Sequence, residues 1–181
     1  EPELIFEDEQ VSVTTIPLDH RIYTNGFLIC EKLGERKLDI KAVARYKIDK
    51  AHFRNIKKGK NVKLDDGRTI PNSDMTFDPL PPKSYAYCSD TGFNPAMVEQ
   101  IKNVDALYHE STFLESEARL APKTKHCTAK QAATIAKAAE VGTLVLGHYS
   151  TRYKSIEPFK KEAKEIFQNT ELGDDGKVFD F

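Results

Sequence analysis

Alternating apolar and polar positions dominate the start of the chain. Residues 4–6, 11–17 and 22–30 are rich in β-branched and aromatic side chains and predict sheet strands. The polar turn Leu18-Asp19-His20-Arg21 separates the last two. The period then changes. Ile40, Val43, Ala44 and Ile48 recur at helical spacing within 39–48, and Asp39 is placed to cap that helix. Asp66-Gly67 predicts a hairpin turn between Val62-Lys63-Leu64 and Arg68-Thr69-Ile70. Residues 71–82 read as a proline-rich connector, because proline interrupts both helices and central strands.

From Ser84 onward strands and helices alternate. The pattern predicts a strand over 84–89, then a helix opened by Asn94-Pro95 and running to about Asn103. A strand over 104–108 follows. Thr128 caps a helix from Ala129 to about Val141, closed by Gly142. Residues 143–146 form a buried strand, 155–168 an amphipathic helix and 178–181 a closing strand. This is an α/β rhythm. It sets Asp90, His109-Glu110 and His148 at the carboxyl ends of three strands, the edge where open α/β sheets bind ligands.

Net charge changes little, being −1 over 181 residues, but its distribution matters. Between Glu31 and Lys63 stand twelve Lys/Arg against four Asp/Glu, nearly half of the 27 basic residues of the chain. Such a segment suits a polyanionic partner or, equally on charge alone, a solvated helical surface. The three cysteines, Cys30, Cys88 and Cys127, include no CxxC pair. That speaks against a disulfide framework and a thiolate zinc site, and for a reducing compartment such as the cytoplasm. No apolar run reaches the length of a membrane span. The chain opens on Glu1 and enters a strand almost at once, which reads as a piece of a longer protein.

Four of the five histidines, His20, His109, His126 and His148, lie in or beside loops with Asp, Glu, Ser, Thr or Arg neighbours, while His52 sits in the basic segment. Imidazole and carboxylate together form a ligand set for zinc, and a bridging carboxylate can hold two cations a few ångströms apart. Taken singly, each residue has a plainer reading. Asp90 could cap a helix, Glu110 could pair with a lysine, Arg152 and Tyr153 could be packing residues, and His109 fits a structural role.

Five motifs occur in order: Pro17-Leu18-Asp19-His20-Arg21-Ile22, Tyr87-Cys88-Ser89-Asp90-Thr91, His109-Glu110-Ser111-Thr112, His126-Cys127-Thr128 and His148-Tyr149-Ser150-Thr151-Arg152-Tyr153. Together they resemble the second half of the ribonuclease Z family, zinc-dependent endonucleases that remove the 3′ trailer from precursor tRNA. The resemblance implies the carboxyl-terminal half of a metallo-β-lactamase αββα four-layer sandwich over residues 1–181. Residues 31–70 would form an inserted, protruding basic arm. It implies His20, Asp90 and His148 as metal ligands, with Asp90 bridging two zinc ions in a complete site. It implies His126 as the acid protonating the leaving 3′ oxygen, Glu110 as its partner, and Arg152 near substrate phosphate. Lys57, Lys58 and Lys60 would contact precursor tRNA, and the assembly would be a homodimer.

Two departures from the family pattern stand out. The glycine- and proline-rich stretch of many bacterial arms is replaced by Tyr46-Lys47-Ile48-Asp49-Lys50-Ala51-His52-Phe53. The fold's His-x-His-x-Asp-His cluster, which supplies the other ligands, occurs nowhere in these residues. With three ligands for two metals, this chain alone is expected to hold zinc poorly and to be inactive by itself. Two other readings keep the fold: a phosphodiesterase or arylsulfatase-like hydrolase acting on small substrates, and a non-catalytic RNA-binding or dimerisation half.

Overall fold

Strand pairing follows the change of rhythm along the chain. The computed structural model describes residues 1–181, which divide into two compact units, Glu1–Glu31 with Lys83–Phe181, and Lys32–Pro82. The first unit opens with β1 (Leu4–Glu7), β2 (Val11–Pro17) and β3 (Asn25–Glu31). The second unit contributes β4 (Lys37–Leu38), α1 (Ile40–Arg45), α2 (Phe53–Lys57), β5 (Val62–Lys63), β6 (Thr69–Ile70) and β7 (Thr76–Phe77). The first unit then resumes with β8 (Ser84–Cys88), β9 (Ala106–Glu110), α3 (Ala121–Thr124), α4 (Ala129–Ala138), β10 (Thr143–Gly147), α5 (Glu157–Lys164) and β11 (Thr170–Leu172).

The main sheet has the order β1-β2-β3-β8-β9-β10-β11. Its first four strands are antiparallel neighbours, whereas β8 to β11 are parallel. Two reversals make β2 run in the same sense as β8. The carboxyl ends of β2, β8, β9 and β10 therefore share one edge. One face of the sheet, bearing Ala86, Cys88, Leu107, Leu144, Leu146 and Leu172, packs on the alanines and Ile135 of α4 and on Phe159 and Ala163 of α5. Small side chains on α4 bring that helix close to the sheet, and burial of this surface is the main driving force. On the opposite face Tyr87 stacks on Tyr108 at 4.7 Å and Tyr85 on Phe181 at 6.1 Å. Tyr85, Tyr108, Val145, Tyr149 and Phe179 there border a cavity of about 610 Å³.

The unit Lys32–Pro82 has its own core of Val43, Ile48, Ile56, Val62, Ile70 and Met75. Asp39 caps α1 by accepting from the Lys41 and Ala42 amides, as its position predicts. Gly67 takes the left-handed conformation (φ 87°) that the β5–β6 hairpin requires. Buried Asn72 ties the unit together, donating to the carbonyls of Ile56 at 2.7 Å and Lys60 at 3.0 Å. Lys57, Lys58 and Lys60 are exposed.

Several expected elements differ. The strand expected from residue 22 begins only at Asn25, and Ile22 and Tyr23 lie exposed in the preceding turn. The helix expected over 94–103 shrinks to one 3₁₀ turn, Pro95–Met97, although Asn94 does cap it through the Ala96 amide. The connector 71–82 contains a 3₁₀ turn, Asn72–Asp74, and strand β7, which pairs with β4 away from the prolines. Strand β9 lies two residues later than predicted, so His109 and Glu110 belong to the strand itself. Helix α4 ends at Ala138, and Glu140 rather than Gly142 takes the left-handed conformation (φ 53°). Gly142 is needed for close approach, since a Cβ there would stand 2.5 Å from the Asp105 carbonyl oxygen. Helix α5 is shorter at both ends than 155–168. The last strand is Thr170–Leu172, not 178–181, because it reaches β10 in parallel register directly after α5.

Thr128 accepts from the Gln131 amide while Gln131 accepts from the Thr128 amide, a reciprocal capping box at the start of α4. Thr128→Ala removes that cap and is expected to destabilise the protein by about 1–2 kcal/mol. At this chain length the melting temperature should fall by roughly 2–8 °C. A thermal melt unchanged by the substitution would contradict the capping role.

A candidate metal centre at the strand ends

Asp90 follows β8, Glu110 ends β9, and His148 follows β10. Because these strands are parallel, all three arrive at one edge of the sheet. The loop after β2 brings His20 to the same edge. It is tied to the loop after β8, where the Asp19 amide donates to Thr91 Oγ1 at 3.1 Å and the Gly92 amide to the Asp19 carbonyl at 2.7 Å. His126 enters from the loop between α3 and α4. Asp90, His148 and Lys125 all adopt positive φ (48°, 57° and 60°). Left-handed backbone at non-glycine residues is uncommon and concentrates where side chains must be aimed.

Glu110 is fully buried and lies at the middle of a hydrogen-bond set. Its Oε1 accepts from the Thr91 amide at 2.9 Å and from His126 Nδ1 at 2.5 Å. Its Oε2 accepts from the Thr112 amide at 3.1 Å, the Thr112 hydroxyl at 2.7 Å and the Cys127 amide at 3.0 Å. Five donors saturate a carboxylate that would otherwise be costly to bury. The remaining rings are also held through Nδ1: His148 on Thr112 Oγ1 at 2.9 Å, His20 on the Lys125 carbonyl at 3.1 Å. Lys125 Nζ pairs with both Asp19 carboxylate oxygens, at 2.8 and 2.9 Å.

Asp90, His126 and His148 each offer one ligand atom, and these atoms lie within 4.8 Å of one another. The ring of His126 stands 5.3 Å from that of His20 and 5.2 Å from that of His148, centroid to centroid. His148 Nε2 lies 3.1 Å from Asp90 Oδ1, with side-chain exposures of 40% and 43%, so this pair faces solvent and is open to a ligand. An imidazole nitrogen and a carboxylate oxygen at that distance can share a proton or, with Nε2 unprotonated, a cation. The residues therefore fit a divalent cation, and mixed imidazole and carboxylate donors suit zinc.

Other sequence candidates separate. His109 is wholly buried, and desolvation pushes its pKa down, so it is neutral. It donates from Nδ1 to the Glu110 carbonyl at 2.7 Å, a structural role. Burial pushes the Cys88 thiol up to about 12 and raises Cys127 as well, which leaves both as neutral packing groups. Arg152 lies 5.1 Å over the Phe113 ring and 3.7 Å from Glu117, and Phe113 in turn meets His126 edge-on at 6.4 Å. Lys57, Lys58 and Lys60 belong to the other unit. Sequence reasoning missed Thr112, Lys125 and Asp19. Only their nearness to Glu110, His126 and His20 in sequence hinted at them.

No protein-family model matches the chain. It is 45% identical to ribonuclease Z of Parabacteroides distasonis over 173 residues, 96% of this chain and 57% of that protein. It is likewise 45% identical to ribonuclease Z of Cytophaga hutchinsonii over 178 residues, 98% of this chain and 56% of that one. The chain thus spans just over half the length of the curated relatives it matches. Among solved structures it superposes on the metallo-β-lactamase fold protein YhfI of Bacillus subtilis with a TM-score of 0.63 at 16% identity, covering 98% of this chain and 52% of that one. Human tRNase Z, short form, gives a TM-score of 0.60 at 23% identity, covering 99% and 46%. Over the region it spans, this chain is a homologue of curated proteins named ribonuclease Z, and its fold is that of metallo-β-lactamase fold proteins.

Proposed function

We propose that the protein is a tRNA 3′-processing endoribonuclease and that this chain supplies one side of its active centre. The observation that carries the reading is the cluster of Asp90, His126 and His148 gathered beside buried Glu110 at the strand ends. The 45% identity to proteins named ribonuclease Z supports the substrate, precursor tRNA. His20, Asp90 and His148 would hold metal, with two zinc ions in the complete centre. Zinc so held supplies Lewis acidity, polarising a phosphoryl oxygen and making hydroxide available near neutral pH.

The chain's own residues would do the rest. Glu110 holds Nδ1 of His126 and leaves Nε2 free of that bond, an arrangement suited to a general acid. As water oxygen bonds to phosphorus, releasing one proton to solvent, and the bond to the leaving 3′ oxygen breaks, His126 would deliver its proton to that oxygen and regain one from solvent. The tRNA is left with a 3′-hydroxyl and the trailer with the phosphate. Arg152 would steady the substrate phosphate through its guanidinium. Lys57, Lys58 and Lys60 would bind RNA backbone from their own unit. A homodimer in the cytoplasm completes the proposal, with the three free cysteines kept reduced.

Incubating the intact protein with precursor tRNA should release a trailer and a tRNA ending in a 3′-hydroxyl. Cleavage of small phosphodiesters with none of precursor tRNA would favour a different hydrolase. Neutralising Lys57, Lys58 and Lys60 together should weaken tRNA binding. The slope of log affinity against log salt should fall by about 1 for each phosphate that no longer meets a cation. Small-substrate turnover should persist, and a parallel fall in both activities would refute the role of these lysines.

A further inference from the structure

The cluster contains a hydrogen-bond path whose direction is determined by chemistry alone. Glu110 accepts three backbone amides, from Thr91, Thr112 and Cys127, and these donors cannot reverse. It also takes the Thr112 hydroxyl at 2.7 Å on Oε2. With its lone pairs met by donors, the carboxylate acts only as an acceptor. The Thr112 hydroxyl has one hydrogen and gives it to Glu110. Its contact with His148 Nδ1, 2.9 Å away, must therefore be one in which the ring donates and the hydroxyl accepts. His148 then carries hydrogen on Nδ1 and points Nε2 at Asp90 Oδ1, 3.1 Å distant. The same carboxylate takes Nδ1 of His126 directly. Thr112 is almost fully buried, so water competes little with this relay.

We propose that Thr112 is a positioning residue whose hydroxyl relays Glu110 to His148, so that one buried carboxylate orients both His126 and His148 with Nε2 toward the same centre. This rests on the reading of His148 as a metal ligand. The consequence is a division of labour within Glu110: Oε1 serves the ring assigned to proton transfer, and Oε2, through Thr112, serves the ring assigned to metal. Outer hydrogen bonds of this kind select the tautomer and raise the basicity of a ligating imidazole, and their loss typically weakens metal affinity about 10–100-fold.

The test uses Thr112→Val, which keeps shape but lacks the hydroxyl, with Thr112→Ser as the conservative rescue. Zinc affinity of the intact protein is read by competition with a chelator, and the tautomer of His148 by its ring ¹⁵N shifts. T112V should bind zinc about 10–100-fold more weakly and lose the Nδ1–H preference of His148. T112S should restore both. If T112V does not fold, Thr112→Ala takes its place with the same expectation. Wild-type zinc affinity and an unchanged His148 tautomer in the hydroxyl-less variant overturn the proposal. A His148→Asn control separates the two levels: should it leave zinc binding intact, the ligand reading itself falls, whatever Thr112 does.

Discussion

Asp90→Asn is expected to cost the intact protein both its bound metal and its phosphodiesterase activity while leaving the melting temperature of the metal-free protein close to wild type. Asparagine is the informative substitution because Asp90 sits at φ 48°, a left-handed conformation that Asn and Asp tolerate better than other side chains. Alanine there would add backbone strain, and its effect on stability would blur the result. What Asn removes is the negative charge. Asp90 Oδ1 faces His148 Nε2 at 3.1 Å and shares a 4.8 Å neighbourhood with His126, so it is the one anionic donor in that group. The imidazoles of His20 and His148 without that carboxylate would hold a divalent cation far less well. Loss of the Lewis acid should remove several kcal/mol of transition-state stabilisation, which at ~1.4 kcal/mol per decade means roughly 10³-fold or more. The measurements are metal content by mass spectrometry and cleavage of precursor tRNA. Retention of stoichiometric zinc and of the cleavage rate in this variant would refute the metal centre.

Removing the His126 ring should slow tRNA cleavage by about 10²–10⁴-fold, the usual worth of a positioned general acid, or roughly 3–5 kcal/mol of barrier. Simple truncation takes from Glu110 Oε1 one of its two donors and leaves only the Thr91 amide, and losing a hydrogen bond to a buried carboxylate costs about 1.5–3 kcal/mol of stability. His126→Asn is the better variant, since its amide can supply a donor in place of Nδ1–H while offering no ring proton for transfer. A nitrophenyl phosphodiester has a leaving group that departs without a proton, so its turnover should change little. The metal arm of the experiment matters as much. His126 lies within ligating distance of Asp90 and His148, so geometry alone permits it to bind metal. Zinc content near wild type, together with a loss confined to tRNA, supports proton transfer. Zinc lost in the variant, or an equal loss on the nitrophenyl ester, assigns His126 to the metal instead.

The same residues show how far local pattern carries. The β2 and β8 strands, the Asp39 and Thr128 caps and the Asp66-Gly67 turn are all legible, because alternation, capping and turn chemistry act within a few residues. The site edge is legible for the same reason: strand ends recur at predictable points in a parallel α/β rhythm, and the five motifs mark which ends carry donors. The misplacements have a common cause. Local pattern sets strand β9 two residues early and puts the last strand among the apolar residues of 178–181. In both cases register against β10, a contact between distant segments, decides where pairing begins.

By its sequence alone, then, the chain determines an α/β alternation, a segregated basic segment and the side chains that gather at one edge. Their hydrogen-bond partners are decided only by the tertiary structure. The family resemblance pairs Glu110 with His126, but its saturation by amides from the loops holding Thr91, Thr112 and Cys127 arises only when those loops meet. Thr112, which closes a quoted motif but has no role assigned from sequence, gains its place because β9 and β10 lie side by side and set its hydroxyl against His148. The physical reason is that periodicity reports which face of an element is buried, whereas burial of a charge must be compensated atom by atom, from whatever the fold brings within hydrogen-bonding distance.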